Sequence, residues 1–485
     1  MARVVVLGAG VAGHTAALIL KRKLGRDHDV VVVTPNRLWN WIPSNIWVGV
    51  GIRSKEDVTF ELAPVYAKAG VRYEQARAVE IHPEGKDGGA EPCVVVERTD
   101  ADRRGQRDTI PYDYLINATG PKLNFGATPG LGPEGNSHSV CTFDHAADTA
   151  KALTAAIERM RAGESLTFLI GTGHGTCTCQ GAAFEYAFNL EFEIRKAGVR
   201  DKARIIFISN EADLGDFGVD GTQILVGGYV IPGKVFAESL FAERGVEWIT
   251  GAHVRRVDPG KIEYETLDGE GSTLAFDFAM LLPPFRGADL KAFDKKGADI
   301  TADLFAPSGF MKVDADYTPR PYEEWRAADW PKTYRNPRFQ NVFAAGIAFA
   351  PPHAISRPRK TKNGTLVAPA PPRTGMPSGI MGRTVALTIV DLIRRGPDAK
   401  AHEASLATMG AACVASAGAS FWSGTAASMT MFPVVPDYER YPLYGRDLRY
   451  TTGEIGSAGH WIKEILHHMF IYKAKGRPGW WLIPE

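Results

Sequence analysis

Two cysteines two positions apart, Cys177 and Cys179, lie where a buried strand gives way to a predicted helix. The free N–H groups and the dipole at a helix N-terminus favour the thiolate form of cysteine. A thiolate attacks sulfur and can hold a persulfide that a redox cofactor oxidises. The alternative is that both thiols are small buried side chains. A disulfide within Cys-x-Cys is strained, so such a bridge would be easily opened.

Other residues that could do chemistry lie on both sides of this pair. Cys141 is followed four positions later by His145, and the two side chains share a face if the segment is helical. His145 could then act as a base; structural polar groups at the start of a helix are the alternative. Glu185 lies in an apolar helical stretch, where burial would raise the pKa of its carboxyl and let it relay a proton. A paired structural glutamate is the alternative. His138, Cys141 and His145 suggest a metal cluster, but no fourth ligand is evident, so we expect no metal.

A glycine-rich turn near the N-terminus predicts dinucleotide binding. Gly8, Gly10 and Gly13 form G-x-G-x-x-G between a buried strand and a helix, and a second buried strand completes β-α-β. The glycines permit a tight turn, the close approach of a pyrophosphate and close packing of helix on strand. The acidic residue expected at the end of the second strand is missing. Thr34 or Asn36, which stand there, could hydrogen-bond an adenosine ribose.

Two later segments extend this interpretation. Residues 114–120 read Tyr-Leu-Ile-Asn-Ala-Thr-Gly, and a strand that ends in Ala-Thr-Gly is a second signature of flavoproteins. It predicts that Thr119 and Gly120 lie near an FAD, although an ordinary strand and turn is the alternative. A buried strand over 165–170, followed by glycines and a helix over 180–196, predicts a second β-α-β inserted into the first.

Length and composition exclude several classes of protein. The chain has 485 residues, 45% of them hydrophobic, with 56 Lys and Arg against 55 Asp and Glu. These values allow two or three domains, exclude a disordered chain and argue against nucleic acid as a partner. No apolar run reaches the roughly 18 residues of a spanning helix. A core strand that begins at about Val4 leaves no room for a signal peptide.

The last third predicts a return to the nucleotide site. Residues 338–347, which include Gly346, resemble the strand that brings a chain back to a bound flavin. Residues 351–377 contain seven prolines, five Lys or Arg and no acidic residue. We therefore expect a basic loop without regular elements there.

The C-terminal segment from about His460 has apolar residues at helical spacing, then a basic stretch, then two tryptophans. These residues are Trp461, Ile462, Ile465, Leu466, Met469 and Phe470, then Lys473, Lys475 and Arg477, then Trp480 and Trp481. The pattern predicts either a helix docked on the chain's own core or a helix in a membrane interface, and the terminal tryptophans favour the membrane.

Over nearly its whole length the chain resembles sulfide:quinone oxidoreductases and their relatives, the flavocytochrome sulfide dehydrogenases and type II NADH dehydrogenases. The resemblance depends on several segments together: 43–45 with 47–51, 118–123, 140–142 with 144–146, Cys179 with 184–188, 282–283, 343–348 and 373–375. It implies a tightly held FAD, attachment to a membrane surface through the C-terminal region and delivery of electrons to a membrane quinone.

The resemblance also implies roles for single residues. Cys179 resembles one of two cysteines that flank the flavin and carry persulfide, and Cys141 resembles a third, nearer the surface, with His145 as base for hydrosulfide. Ser44, within the matching Pro43-Ser44-Asn45, is expected at the cofactor. Arg373 falls where the family carries a lysine near the quinone, and a cation there could hydrogen-bond a quinone carbonyl; a surface cation is the alternative. The aromatic residues Phe421, Trp422 and Phe432 are weaker predictions for the wall of a quinone pocket.

Three positions depart from the family pattern. Phe349 stands where the second flanking cysteine is expected, Asp216 replaces a histidine, and Ala345 replaces an aspartate of the flavin site. These departures weaken the expectation of a sulfur relay between two thiols more than they weaken the expected binding of FAD and quinone. Cys177 could supply the thiol that Phe349 lacks.

The sequence therefore predicts an α/β protein with two Rossmann-like dinucleotide-binding domains and a C-terminal membrane-associating region. The expected parts are 1–160 and 291–400 for the FAD-binding domain, 161–290 for the second Rossmann-like domain and 401–485 for the quinone and membrane region.

We expect an FAD-dependent oxidoreductase that takes electrons from sulfide or a related sulfur species and passes them to a membrane quinone. It would be a homo-oligomer, peripheral on a bacterial or archaeal cell membrane. One alternative is a type II NADH:quinone oxidoreductase, in which Glu211 would bind a nicotinamide ribose. The other is a non-catalytic FAD-bearing relative that acts as a subunit.

Overall fold

Helices pack against two sheets of parallel strands in the computed structural model, which describes residues 1–178, 180–372, 375–418, 422 and 424–485. The α/β class predicted from the sequence is confirmed. The first strands are short runs of valine and leucine with almost no exposed surface, as is typical of a parallel sheet covered by helices on both faces.

The first elements build one sheet and the helices around it. They are β1 (Arg3–Leu7), α1 (Val11–Leu24), β2 (Asp29–Thr34), β3 (Leu38–Asn40), α2 (Asn45–Gly49), α3 (Lys55–Val58), β4 (Thr59–Glu61), α4 (Leu62–Ala69), β5 (Arg72–His82), β6 (Cys93–Arg98), β7 (Arg107–Pro111), β8 (Tyr114–Asn117), β9 (Lys122–Leu123) and α5 (Phe143–Arg161).

The middle of the chain repeats the pattern of strand, helix and strand. Its elements are β10 (Leu166–Thr172), α6 (Gly181–Lys196), β11 (Ala203–Ile208), β12 (Gln223–Val226), β13 (Tyr229–Pro232), α7 (Gly233–Glu243), β14 (Val246–Ile249), β15 (His253–Asp258), β16 (Lys261–Glu265), β17 (Gly271–Ala275), β18 (Phe278–Leu282), β19 (Phe285–Arg286) and β20 (Lys291–Ala292).

The last part returns to the first sheet and ends in a small antiparallel sheet and a helix. Its elements are α8 (Thr301–Leu304), β21 (Val342–Ala344), β22 (Arg359–Lys360), β23 (Leu366–Val367), α9 (Gly375–Arg395), β24 (Ala411–Ala417), β25 (Thr425–Met431), β26 (Gly453–Gly456) and α10 (Ser457–Ala474).

Two parallel sheets carry the two nucleotide-binding patterns. The first has the order β21-β8-β1-β2-β5-β6-β7, and its strands are parallel from β21 to β5. The second has the order β14-β11-β10-β18 and is parallel throughout. Because β8 and β21 flank β1 on one side and β2 on the other, the carboxyl ends of these strands meet beside the start of α1.

Glycines let the chain approach α1 more closely than any side chain would permit. A Cβ at Gly8, where φ is +96°, would lie 2.2 Å from the backbone oxygen of Ala118. A Cβ at Gly382 of α9 would lie 2.2 Å from the backbone oxygen of Ala12. These contacts fix β8 and α9 against the nucleotide-binding turn.

The expectation that residues 351–377 contain no regular element is wrong in two places. Strands β22 and β23 pair as a small hairpin between Arg359 and Val367, and α9 begins at Gly375. Pro377 lies in the first turn of α9, where a missing backbone N–H costs no helix hydrogen bond.

One helix among the described residues, α9, is long and apolar enough to cross a membrane by length and composition. However, 67% of its most apolar window is buried inside the protein, as is also typical of a core helix. The C-terminal helix predicted from about His460 is α10, which begins three residues earlier.

We expect Gly382→Ala to destabilise the protein by about 1–3 kcal/mol, because the added methyl group collides with the backbone of α1 rather than with a movable side chain. The thermal unfolding midpoint of the cofactor-free protein measures this effect. Gly10→Ala is the matched control, since a Cβ there meets nothing within 4 Å. Equal midpoints for the two variants would contradict the close packing of α9 on α1.

Candidate functional site

The nucleotide-binding turn offers free donors and open space. Gly10 caps α1 without a side-chain hydrogen bond, and the first turn carries no acidic residue. A Cβ at Gly10 would meet nothing within 4 Å, whereas one at Gly13 would lie 2.1 Å from the backbone oxygen of Gly8. Gly13 therefore serves packing and Gly10 leaves room. Unpaired N–H groups with open space at a helix N-terminus fit a pyrophosphate.

Residues that follow strands β8 and β21 also lie at this site. At the end of β8 the Thr119 hydroxyl donates to Asn117 Oδ1 at 2.8 Å. Gly120 follows with φ +70° and no atom within 4 Å of an added Cβ. Gly346, just after β21, has φ +68°, and its Cβ would lie 2.9 Å from the Ala12 side chain. Thr119 and Gly346 thus lie beside the nucleotide-binding turn and α1, and Gly120 follows Thr119 in open space; their contact with an FAD stays a prediction.

The end of β2 carries the two residues predicted near the adenosine ribose. Thr34 is buried, and its hydroxyl accepts a hydrogen bond from the backbone N–H of Asn36 at 3.4 Å. The Asn36 residue itself is exposed. Both stand at the carboxyl end of the strand, where this kind of unit binds the ribose.

The strand-like segment before Cys179 runs beside the segment before Arg373. Ala368 N–H donates to Gly175 O at 2.8 Å, and Ala370 N–H donates to Cys177 O at 3.0 Å. Thr178 pairs with Ala370 in a parallel bridge. Two segments nearly 200 residues apart in the chain, one leading to a predicted sulfur-binding thiol and one to a predicted quinone-binding cation, therefore lie side by side. The residues Cys179, Arg373 and Phe421 lie outside the described residues.

The Cys177 thiol differs from the expected thiolate. It is fully buried, and its Sγ donates to the backbone oxygen of Leu282 at 3.1 Å. Burial raises the pKa of the thiol well above its ordinary range. Helix α6 begins only at Gly181, so the helix N-terminus does not compensate the loss of water around Cys177.

Cys141 and His145 do not share a helical face, because α5 begins at Phe143 and Cys141 precedes the capping residue Thr142. The Thr142 side chain accepts a hydrogen bond from the His145 backbone N–H at 3.1 Å. Burial raises the pKa of the Cys141 thiol to about 11. Burial also lowers the pKa of His145, whose buried Nδ1 has no hydrogen-bond partner in the described chain. The imidazole is therefore neutral at neutral pH.

Phe349 occupies the position of the missing family cysteine as a core side chain. It is fully buried, with its ring 5.4 Å from that of Tyr334 and 6.4 Å from that of Trp330. An aromatic cluster thus surrounds the position where the family carries a cysteine. In the part of the chain that the structure describes, no group of His, Cys, Asp or Glu side chains could hold a metal ion.

Glu185 is buried on α6 and paired, which matches the structural alternative. Its Oε1 accepts hydrogen bonds from the backbone N–H of Ser416 at 3.2 Å and from the Ser416 hydroxyl at 2.6 Å, and it forms an ion pair with Lys463. Trp47 Nε1 donates to the same hydroxyl at 2.9 Å. The cluster joins α2, α6, β24 and α10.

Ser44 is fully buried and bonds to the same helix, with its hydroxyl 2.9 Å from His467 Nδ1. Sequence reasoning missed both His467 and Lys463, because it followed only the apolar residues of α10. The signal was present: Lys463 and His467 are four residues apart and so lie on one face of the helix.

Two acidic residues beyond β11 are also buried. Glu211 has no exposed surface and receives a long hydrogen bond of 3.5 Å from the Ser356 hydroxyl. Burial raises the pKa of Glu211 well above its ordinary value and that of Asp216 to about 6. A carboxyl enclosed in this way is poorly placed to bind a nicotinamide ribose, which disfavours the NADH-dependent alternative.

The aromatic residues predicted around a quinone do not form one wall in the described chain. Trp422 is 87% exposed. Phe432 packs edge-on against Tyr450, with ring centroids 6.0 Å apart.

Known proteins share this arrangement. Residues 2–187 match the family model described as pyridine nucleotide-disulphide oxidoreductase. The chain is 30% identical over 474 residues to the sulfide-quinone reductase of Aquifex aeolicus (strain VF5), which covers 97% of this chain and 91% of that protein. This chain belongs to the sulfide-quinone reductase family. The X-ray structure of the sulfide:quinone oxidoreductase from Aquifex aeolicus matches it with a TM-score of 0.74 and 27% identity, over 98% of this chain and 92% of that chain.

More distant relatives share less. The mitochondrial sulfide:quinone oxidoreductase of Mus musculus is 30% identical over 295 residues, which are 59% of this chain and 57% of that protein. A structure of NDH2 from Plasmodium falciparum in complex with NADH has a TM-score of 0.59 at 14% identity, over 88% of this chain and 89% of that chain. That likeness shows the fold alone, so the type II NADH dehydrogenases are the more distant group.

We expect Cys177 and Cys141 to resist alkylation in the folded protein at pH 7. A thiol with a pKa of about 11 is ionised in about one molecule in ten thousand at that pH. Iodoacetamide labelling followed by peptide mass spectrometry measures this, with the denatured protein as the fully labelled control. Rapid labelling of Cys177 in the native state would show that it is a thiolate after all.

Proposed function

We propose that this protein is an FAD-dependent oxidoreductase that oxidises sulfide and passes the electrons to a quinone. The proposal depends above all on the likeness to a sulfide-quinone reductase over 97% of the chain. The nucleotide-binding turn at Gly8, Gly10 and Gly13 supports it, because its geometry fits the pyrophosphate of FAD.

The overall reaction conserves atoms and charge. Hydrosulfide, a quinone and one proton give zero-valent sulfur and a quinol, so two electrons leave the sulfur and the quinone gains two electrons and two protons. Bound FAD supplies the two-electron transfer between the sulfur donor and the quinone. The residues of this chain bind the reactants, move the proton and exclude water.

Cys179 is the residue to which we assign the incoming sulfur. Its described neighbour Thr178 continues the segment paired with Ala370, which leads to Arg373. Arg373 is suited to hydrogen-bond a quinone carbonyl, since a fixed cation favours the negative charge that develops there during reduction. This assignment brings the sulfur-binding and quinone-binding segments to two neighbouring stretches of chain that are joined by backbone hydrogen bonds.

His145 and Cys141 are assigned to substrate entry. His145 is neutral at neutral pH because burial lowers its pKa, and its Nδ1 has no partner in the described chain. It can therefore accept a proton from incoming hydrogen sulfide. Cys141 is only partly buried, so part of its side chain is open to solvent.

The C-terminal helix supports attachment to a membrane surface. Its outward side chains Trp461, Ile462 and Ile465 are 38%, 49% and 60% exposed, whereas Lys463 and His467 are buried. A helix on a water-soluble surface has the opposite pattern. We therefore place this face of α10 in the interface of a bacterial or archaeal cell membrane, where the quinone is dissolved.

We expect sulfide to reduce the bound flavin of the wild-type protein under anaerobic conditions and to fail with Cys179→Ser. Cys177→Ser should still be reduced, because the buried Cys177 thiol is neutral and hydrogen-bonded. Bleaching of the flavin absorbance during a sulfide titration measures this. NADH is the control donor and should not reduce the flavin of any of the three proteins. Flavin reduction by NADH would favour the NADH:quinone oxidoreductase alternative. Undiminished reduction by sulfide in both variants would show that neither thiol takes part in the reaction.

We expect the double variant Ile462→Asp, Ile465→Asp to lose at least about tenfold in binding to vesicles of phosphatidylethanolamine and phosphatidylglycerol, because both charges would enter the apolar layer. Co-sedimentation measures the bound fraction. Val235→Asp on α7 is the matched control, since Val235 is also about half exposed, at 48%. Equal binding of the double variant and the control would place the membrane contact elsewhere.

A further inference from the structure

The residues that precede Cys179 are held by a side chain of the loop that follows β11. Asn210 has no exposed surface, and its Nδ2 donates to the backbone oxygens of Gly175 at 3.2 Å and Cys177 at 3.1 Å. Both acceptors are carbonyl oxygens, so only the NH2 end of the amide can face them. One buried amide group is therefore bonded twice to the segment that leads to Cys179.

The same loop also holds the residue that follows Cys179. Gln180 is fully buried. Its side-chain amide, oriented so that both ends find a partner, donates to Ser209 Oγ at 2.8 Å and accepts from the Gly215 N–H at 2.8 Å. Residues 209–215, which we call the clamp loop, are therefore bonded to the described chain on both sides of Cys179.

The clamp loop is itself anchored to two strands of the second parallel sheet. The Asn210 N–H donates to Thr172 Oγ1, at the end of β10, at 2.9 Å. The Ser209 N–H donates to the oxygen of Ile249, at the end of β14, and the Ala252 N–H donates back to the oxygen of Ser209, both at 2.9 Å. The position of the Asn210 amide is therefore set by the sheet.

One polar atom of Asn210 is left unpaired by this arrangement. Among the described residues no donor meets Asn210 Oδ1, although the atom is buried. A buried acceptor without a partner costs stability, and an apolar side chain of similar size would avoid that cost. Packing alone therefore does not account for an asparagine at this position, whereas its two bonds to the thiol segment do.

The place of Asn210 in its β-α-β unit supports the same interpretation. In a unit that binds a dinucleotide, the residues after the second strand face the ribose, and the glycine turn faces the pyrophosphate. Here β11 ends at Ile208, and Asn210 bonds across to Gly175 of the glycine turn. A side chain of the protein thus joins two positions that would otherwise face a nucleotide.

We propose that Asn210 is a positioning residue that fixes the backbone around Cys179 for the reaction with sulfide. This proposal rests on the proposed function and deepens it, because it assigns the clamp loop to one half of the reaction. Asn210 serves the reduction of the flavin by sulfide and has no part in the oxidation of the flavin by the quinone.

The segment that leads to Arg373 has support of its own. Strand β23 pairs with β22, and the Thr365 hydroxyl donates to Glu265 at 3.2 Å. In the described part of the chain, no hydrogen bond joins Asn210 to residues 366–372. Loss of the Asn210 amide therefore leaves the bonds of the quinone-side segment in place.

We expect Asn210→Ala to slow flavin reduction at saturating sulfide at least about tenfold, because a small displacement of a reacting group has a large effect on rate. Oxidation of the dithionite-reduced flavin by decylubiquinone should change less than about twofold. Anaerobic stopped-flow absorbance of the protein with bound FAD measures both rates. Equal slowing of the two half-reactions would overturn the proposal.

Asn189→Ala is the matched control. Asn189 on α6 is also fully buried, and its Nδ2 likewise donates to two backbone oxygens, those of Glu185 at 3.0 Å and Ser416 at 2.6 Å. Its loss should lower the thermal midpoint and leave flavin reduction by sulfide within about twofold of the wild type. Slowing as large as that in Asn210→Ala would show a general effect of losing a buried amide, and so overturn the proposal.

Asn210→Asp gives a pH dependence that a loss of packing would not give. Burial favours the protonated carboxyl, which can donate one hydrogen bond to Cys177 O, whereas the ionised form donates none and repels both carbonyl oxygens. Relative to the wild type at the same pH, flavin reduction by sulfide should therefore fall at least about tenfold between about pH 6 and about pH 9. A ratio that does not vary with pH would contradict the assigned role.

Hydrogen exchange separates this proposal from the proposed function. Peptides that cover residues 174–180 should exchange at least about tenfold faster in Asn210→Ala than in the wild type, and should be unchanged in Asn189→Ala. If wild-type protein with bound FAD is not reduced by sulfide, the proposed function fails, and the exchange rates still decide whether Asn210 fixes this segment. Unchanged exchange in folded Asn210→Ala would show that it does not.

Discussion

Close approach of backbones at the start of α1 is the constraint on which the molecule depends. Gly8 brings the turn against the end of β8, Gly13 brings α1 against Gly8, and Gly382 brings α9 against α1, at distances that no Cβ would permit. Parallel strands end at this point, and Gly10 leaves open space beside them. Tight packing on one side and open space on the other give this region the shape of a nucleotide cradle.

The C-terminal helix α10 has its polar side chains on the inner face and its apolar side chains on the outer face. Its inner face carries polar and charged side chains that find partners on α2, α6 and β24, and its outer face carries tryptophan and isoleucine. Such a distribution costs free energy in water and is favourable where the outer face meets lipid. The exposed apolar side chains and the charge pairing inside the protein are therefore two faces of one element.

Glycine spacing and apolar runs in the sequence predicted the elements whose formation depends on residues close together in the chain. The β1-α1-β2 unit and α6 follow from glycine spacing and apolar runs, and α6 begins one residue after the predicted start at 180. The glycine positions in the candidate nucleotide site follow from the same pattern, because each acts through its own backbone.

Contacts between distant segments were not predictable in this way. The expected thiolate at Cys177 was inferred from its helix, but the neighbouring strand directs its Sγ to Leu282 O, and burial keeps the proton on sulfur. The partner of Glu185 could not be found because the C-terminal pattern is dominated by apolar residues, while the decisive residue is the lysine between them. The hairpin at 359–367 depends on pairing between two short strands, which could not be predicted because the surrounding sequence is rich in proline.

The inward polar face of α10 also governs how the protein can be trimmed. A chain shortened before Ser457 would lose the exposed apolar face of α10, but it would also remove the imidazole partner of Ser44 and leave the buried Glu185 without Lys463. The shortened protein would therefore be a damaged molecule rather than a soluble version of the same enzyme. A more soluble variant is better obtained by replacing the exposed apolar side chains of α10 with polar ones than by deleting the helix.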